Sequence, residues 1–216
     1  MVLLIEMARK VEFDKDLALH KAMKLFWLKG YDATSMQDLV DAMQINRFSI
    51  YNSFGDKKTL YIKVLAYYRR TVLAYLLRPL KTQAPAKKRL DDYLLLMSEQ
   101  LQSKSGGLGC MIQNTGLSPV STDSEVAEML AFLFNDLRTA LLSVVEAAAE
   151  NRAEEESKVL SGSASEYNPI VLTGFILSQI QGLIILRKAQ QDAEGIDAQI
   201  TLLRVVVGRW WSDTCF

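Results

Sequence analysis

The 216-residue chain predicts an all-α fold, and three observations carry that prediction. Apolar residues recur at spacings of three and four along nearly the whole chain, the period of a helix with one face on a core. Strand-like alternation is absent. Prolines are confined to positions 79, 85, 119 and 169, and glycines gather where the periodic stretches stop. About nine helices fit. They divide into an N-terminal unit of three short helices, residues 1–56, and a larger helical domain, 57–216.

The first helix is predicted from Asp14 to Lys29, with Ala18, Ala22, Leu25 and Phe26 on one face, acidic residues at its start and Gly30 as its C-cap. A second starts near Ser35, with Asp38 three residues on as a capping-box variant, and carries Met36, Leu39, Val40 and Met43. After a turn at Gln44 and Ile45, Asn46 is the expected N-cap of a short third helix through Asn52, and Gly55 breaks it. A fourth helix is expected from Asp56 to about Leu77, and a fifth over 86–104. Gly106, Gly107 and Gly109 mark a break before a short piece at 110–116. A long helix follows from about Thr122 to Asn151. Residues 153–166, with Glu154, Glu155 and Glu156, read as a solvated polar loop, and two more helices fit 168–191 and 196–212.

Helix, tight turn and short second helix over residues 22–62 form a helix-turn-helix, whose second helix enters the DNA major groove, roughly 12 Å wide. The candidate reading helix is Asn46-Arg47-Phe48-Ser49-Ile50-Tyr51-Asn52. Ile45 and Ile50 can pack inward while Arg47, Ser49 and Asn52 face out. Arginine pairs bidentately with guanine and asparagine with adenine. Charge is distributed to match: residues 1–70 carry 12 Lys/Arg against 8 Asp/Glu, and the remainder is acidic by the same margin.

This stretch resembles the tetracycline-repressor (TetR) family. The resemblance lies in Ala22-x-x-Leu25-Phe26-x-x-x-Gly30-Tyr31-x-x-Thr34-Ser35, then Leu39, then Ile45-Asn46-x-x-Ser49-Ile50-Tyr51-x-x-Phe54-Gly55-Asp56-Lys57-Lys58-x-Leu60. It implies that Thr34 and Ser35 meet a phosphate where the second helix opens. It further implies phosphate contacts from Tyr51 and Lys57, and base-edge contacts from Arg47, Ser49 and Asn52. Gln44 stands where the family often has a turn glycine. Phe48 fills a usually small position, from which it would touch a thymine methyl or pack back on the domain. Gln44, Asn46 and Phe48 complete the candidate DNA-contacting set.

The resemblance also implies a regulator in the bacterial cytoplasm, bound to a double-stranded operator and released by a small-molecule inducer. Candidate pocket residues are Tyr67, Tyr93, Met97, Cys110, Met111, Asn114, Met129, Phe132, Phe175 and Gln179, residue types that more often form plain core. Cys110, just after the glycine break and near a helix start, is the candidate reactive thiol, which would make an alternative sensor of electrophiles or oxidants. Cys215, beside the terminus, is expected to play no part. His20, opposite the apolar face of its helix, reads as solvated, and Lys87, Lys88 and Arg89 as a solvated helix end.

The last two helices are apolar on more than one face, and such helices need a second partner. Self-association across a two-fold axis supplies it, making a homodimer. Ile176, Ile180, Leu183, Ile184, Leu203, Val207 and Trp210 are the candidate interface residues. Residues 167–186 carry no charge, but eight polar or small residues within them suit a soluble helix better than a membrane span. No cofactor is expected. One histidine and two cysteines cannot build the usual zinc site, and no Cys–base pairing supports an enzyme. A helical protein-interaction module is the remaining rival. Met1 and Met7 are both possible starts.

Overall fold

The computed structural model describes residues 13–157, 168–190 and 195–211. Nine helices and no strand are found among them. Met1, Met7 and Cys215 lie outside the described residues.

Helix α1, Lys15–Lys29, starts at Asp14, whose carboxylate accepts from the backbone N–H groups of Asp16 and Leu17 at 2.8 and 3.1 Å. It stops at Gly30, held at φ +81°, a conformation glycine adopts without a Cβ clash. Ala18, Ala22, Met23 and Phe26 are its buried face. Helix α2, Met36–Met43, opens with a reciprocal capping box: Ser35 accepts from the Asp38 N–H, and Asp38 accepts from the Ser35 N–H at 2.7 Å. Helix α3, Arg47–Phe54, is capped by Asn46, whose Oδ1 accepts from the Ser49 N–H at 2.7 Å.

Between α2 and α3 the chain turns through Gln44 at φ 60°, the one non-glycine residue with positive φ among the described residues. This left-handed conformation crowds any Cβ. Gln44→Val is therefore expected to lower stability by about 1–2 kcal/mol. Gln44→Asn, which tolerates this conformation, should stay within about 0.5 kcal/mol of the parent. Denaturant midpoints at unchanged m-value would measure both.

Helix α4 leaves Asp56 as Lys57–Tyr68, widens into a π turn at Arg69–Leu73 and closes with Ala74–Leu76. One regular helix was the expectation; neither proline nor glycine marks the irregularity. The Thr71 hydroxyl bonds the Tyr67 carbonyl at 2.7 Å inside this stretch, the kind of side-chain insertion that accompanies such a bulge. Helix α5 spans Ala86–Gln102, and a 3-10 turn at Lys104–Leu108 follows. Then come α6, Met111–Gly116, and α7, Ser124–Ser157. The expected loop from 153 is thus helical to Ser157, because Ala and Glu favour helix and no breaker precedes Ser161-Gly162-Ser163. Residues 158–166 of that loop lie outside the described residues. Helices α8, Pro169–Gln190, and α9, Ile196–Trp211, complete the chain.

One contiguous core runs through both parts, from Leu39 and Ile50 through Val64 and Leu65 to Leu133, Ile180 and Val207. Helix α7 packs against α8, α5 against α9, and α1 against α4. This packing corrects the interface assignment. Ile176, Ile180, Leu183, Ile184, Leu203 and Val207 are all buried inside the chain's own core and cannot meet a partner. The outer arc of α8 instead presents Ile170, Val171, Phe175, Ile185 and Leu186, and that of α9 presents Leu202, Val205 and Val206. The side chain of Trp210 lies outside the described residues. Pro169–Ala189 is long and apolar enough to cross a membrane by length and composition, at mean hydropathy 1.9. Its apolar character follows from having a core on one side and an exposed apolar arc on the other.

Candidate nucleic-acid interface and effector groove

Helix α3 is anchored from below by Ile50 and Phe54, both essentially inaccessible. Lys63 donates to the Phe54 carbonyl at 3.0 Å, tying its last turn to α4. With the inner face fixed and the N-terminus capped, the outer face is left to Arg47, Phe48, Tyr51 and Asn52, all exposed, with Ser49 half-buried. Arg47, Tyr51 and Asn52 make no side-chain hydrogen bond among the described residues. Phe48 is 74% exposed. Of its two expected roles, packing back on the domain is therefore ruled out.

Asn46 is exposed, but its carbonyl oxygen is committed to the Ser49 cap; Nδ2 is the group it has left to offer. Ser35 is exposed at the opening of α2. Thr34 is not available: it is 1% exposed and its hydroxyl donates to the Gly30 carbonyl at 2.6 Å. Its expected phosphate contact is withdrawn, since a side chain spent on closing the turn after α1 cannot reach a ligand. Gln44 holds Lys21 through its Oε1 at 2.6 Å and is otherwise exposed.

The frame around α3 is rich in compensated charge. Lys29 and the Ser35 N–H both bond Asp38 at 2.7 Å, and with Lys29 as the larger influence they hold its carboxyl far below the usual range. Lys57 sits 4.3 Å above the Tyr31 ring, and partial burial pushes its ammonium pKa down, against the pull of Asp32 and Asp38. A platform of Phe26, Tyr31 and Tyr61, with centroids 4.8–6.1 Å apart, supports that ring. Lys58 turns the other way, to Asp123 at 3.3 Å and Glu125 at 3.2 Å by the start of α7. Sequence reasoning missed this tie, though the Lys57–Lys58 pair was its signal: adjacent helical residues point to different neighbours.

In the larger domain, a groove of about 740 Å³ opens between α4 and α7, a size suited to a small organic ligand. Ile62, Ala66 and Leu73 floor it on one side, Met129 and Phe132 on the other. Arg69 spans it, bonding Asp136 with Nε at 2.6 Å and Nη2 at 3.0 Å while its guanidinium lies 4.8 Å over the Phe132 ring. Arg70 also lines the groove and pairs with Asp16 of α1.

Of the ten expected pocket residues only Met129 and Phe132 are in this lining. Tyr93, Met97 and Met111 are filled core positions. Phe175 and Gln179 point away, on the exposed arc of α8. Tyr67 is half-buried, with His20 edge-on at 6.3 Å and Arg70 stacked at 4.7 Å; His20 is accordingly half-buried rather than solvated. Asn114 bonds the Leu108 carbonyl at 2.9 Å. The groove's charged members, Arg69, Arg70, Lys81, Glu125, Glu128 and Asp136, were missed. The Arg69–Arg70 doublet in an otherwise apolar helix was the available signal.

Cys110 also departs from expectation. It is half-buried at the start of α6, with Sγ 3.8 Å from the Tyr68 hydroxyl. Burial pushes its thiol pKa up, and that outweighs the opposing N–H groups of Gln113 and Ile112. A raised pKa leaves less thiolate near neutrality. Alkylation of Cys110 in a Cys215→Ser background is therefore expected to be slower at pH 7.5 than for a free thiol. Its pH midpoint should lie above the ordinary value of about 8.5, and a midpoint below that would restore the reactive-thiol assignment.

Comparison with known proteins agrees with the geometry. Residues 18–64 match the family model of bacterial regulatory proteins, tetR family. The chain is 40% identical over 114 residues to the HTH-type transcriptional repressor ComR of Escherichia coli (strain K12), covering 51% of this chain and 54% of ComR. It is 30% identical over 121 residues to the uncharacterized HTH-type transcriptional regulator YezE of Bacillus subtilis (strain 168), covering 56% of this chain and 62% of YezE. It thus spans less than two thirds of either relative's length. Its fold is shared with a cysteine mutant of the TetR-family regulator CifR complexed with 26-base-pair double-strand operator DNA, at TM-score 0.68 and 24% identity over 94% of this chain and 98% of that one. A capped helix with an outward polar face, in an N-terminal unit that matches the tetR family model, on a helical fold shared with the CifR structure, makes the chain similar to the TetR family of bacterial regulatory proteins.

Proposed function

We propose that the chain is a sequence-specific DNA-binding transcriptional repressor in the bacterial cytoplasm. It acts as a homodimer released from a palindromic operator by a small-molecule inducer. The observation that carries this is the outer face of α3: Arg47, Tyr51 and Asn52 stand exposed and unbonded on a helix whose inner face and N-terminus are fixed. Arg47 and Asn52 suit base edges, with Ser49 beside them, and Phe48 suits a thymine methyl. Tyr51, Lys57 and the first-turn N–H groups of Met36 and Gln37 in α2 suit phosphates, which position the helix. The names of the repressor ComR and of the operator-bound CifR complex support the reading.

Residues 1–56 serve as the reading unit and 57–216 as the effector and dimerisation domain. The exposed arcs of α8 and α9 pair across a two-fold axis and set the spacing of the two reading helices. The groove between α4 and α7 is the effector site. Arg69 and Asp136 pair across its apolar floor, and Lys81, Glu125 and Glu128 add charge to its lining, which suits a ligand with an apolar body and a polar end. Ligand entry displaces α4, and a coupling of about 1–3 kcal/mol changes operator affinity roughly 5- to 150-fold. Selection on random double-stranded DNA tests the reading: a palindromic consensus is expected, and recovery of no preferred sequence would refute it.

A further inference from the structure

The glycine break between α5 and α6 is a junction where α1 meets the far side of the larger domain. Trp27, half-buried on α1, donates from Nε1 to the Gly109 carbonyl at 3.1 Å. Its ring meets Tyr68 of α4 edge-on, with centroids 5.3 Å apart. Gly109 has φ +74°, and a Cβ there would lie 3.0 Å from Lys188 Cδ and 3.3 Å from Asn114 Oδ1. Glycine is what lets α8 lie against the break in this backbone conformation. From Gly109 the contacts continue. Asn114 holds the Leu108 carbonyl at 2.9 Å, and Lys188 of α8 donates to Asn114 Oδ1 at 2.6 Å. Beside it Arg187, 8% exposed, donates to the Leu101 carbonyl at 2.9 Å.

We propose that Trp27 is a positioning residue: it latches the N-terminal unit to the 104–110 break and, through Asn114 and Lys188, to α8. This route runs beside α4, whose Tyr68 packs on the Trp27 ring, and reaches α8 without passing through the groove. The state of the break, and of the helix that carries the outer apolar arc, thereby fixes the orientation of the reading unit. The proposal rests on the reading of 1–56 as the DNA-contacting unit. It also accounts for the glycine at position 109, which DNA contact does not explain.

A tryptophan that only fills space needs its ring alone. Trp27→Phe keeps an aromatic ring against Tyr68 and removes the donor. Amide hydrogen exchange on the full chain is the test. Trp27→Phe should speed exchange roughly threefold to tenfold, the worth of one neutral hydrogen bond, at the end of α1 and at 104–110 together. Gln44→Val, which strains the same unit and frees Lys21 without touching the latch, should speed exchange within 36–54 and around Lys21 but leave 104–110 at parental rates. Asn114→Ala should loosen the end of α1 from the opposite side, and decides the matter should Trp27→Phe fail to fold. With the duplex recovered by selection, the parent should gain protection at 104–116 while Trp27→Phe gains it in the reading unit alone. Parental rates at 104–110 in Trp27→Phe, or equal DNA-induced protection of 104–116 in both proteins, would overturn the latch. Failure of the parent to retain any duplex would sink the DNA-binding reading instead, and the duplex-free arm would still decide the latch.

Discussion

Phe175→Asp on the outer arc of α8, combined with Leu202→Asp on α9, is expected to convert the proposed dimer into monomers at micromolar concentration. Both side chains are substantially exposed, at 41% and 62%, so the folded chain accommodates the carboxylates in water. In a dimer interface the same carboxylates would be buried without partners, and a central interface residue is worth about 2 kcal/mol or more. The dissociation constant should therefore rise at least about thirtyfold for each site. Ile180→Ala gives the opposite pattern. Ile180 is 1% exposed in the core, and truncating a buried isoleucine costs about 2–5 kcal/mol of stability, with no direct effect on the interface. Sedimentation velocity read beside denaturant melts separates the two. Monomers from Ile180→Ala with stability unchanged would return the interface to the inner arc.

The second large effect is expected at α3. Arg47→Ala should relax base preference at one position of each half-site, with a loss of about 1–3 kcal/mol on the preferred sequence and little on others. Lys57→Ala should weaken binding to all sequences alike and reduce the salt slope by about one. Lys57 is already desolvated over the Tyr31 ring, so part of its dehydration cost is met before DNA arrives. Arg47 lacks such a support and owes its orientation to the helix alone. Binding measured at three salt concentrations, on preferred and scrambled duplexes, distinguishes a specifying residue from a positioning one. Parental behaviour in both variants would remove these role assignments.

What the sequence made legible is mostly local chemistry. The caps at Asp14, Ser35 and Asn46, the stop at Gly30 and the break at Gly55 are each decided within four residues, and the structure places them as expected. The glycine break at 106–109 was legible for the same reason. The faces of α8 were not. Apolar residues nearly encircle that helix, so periodicity cannot tell which arc meets its own core and which is left exposed. On this ground alone Ile180, expected at an interface, lies in the core, and Phe175, expected in a pocket, lies on the exposed arc. The π turn at Arg69–Leu73 carries no proline or glycine; within it a hydroxyl bonds back to the Tyr67 carbonyl, a contact that residue type does not announce. The groove was half legible. Met129 and Phe132 were named from side-chain type, but Tyr93 and Met97 share that type and lie in filled core. A cavity depends on how two helices fail to close on each other, a property of neither sequence segment alone.

The central claim is that two copies of α3 read one duplex. Its most direct measure is a stoichiometric titration of the selected palindromic duplex, set beside a scrambled duplex of equal length and read at two salt concentrations. The account predicts two chains, or a multiple of two, per duplex and a preference of at least about a thousandfold over the scrambled sequence. Affinity for both duplexes should fall steeply with salt. Equal affinity for the two duplexes, or a single chain saturating the palindrome, would contradict it.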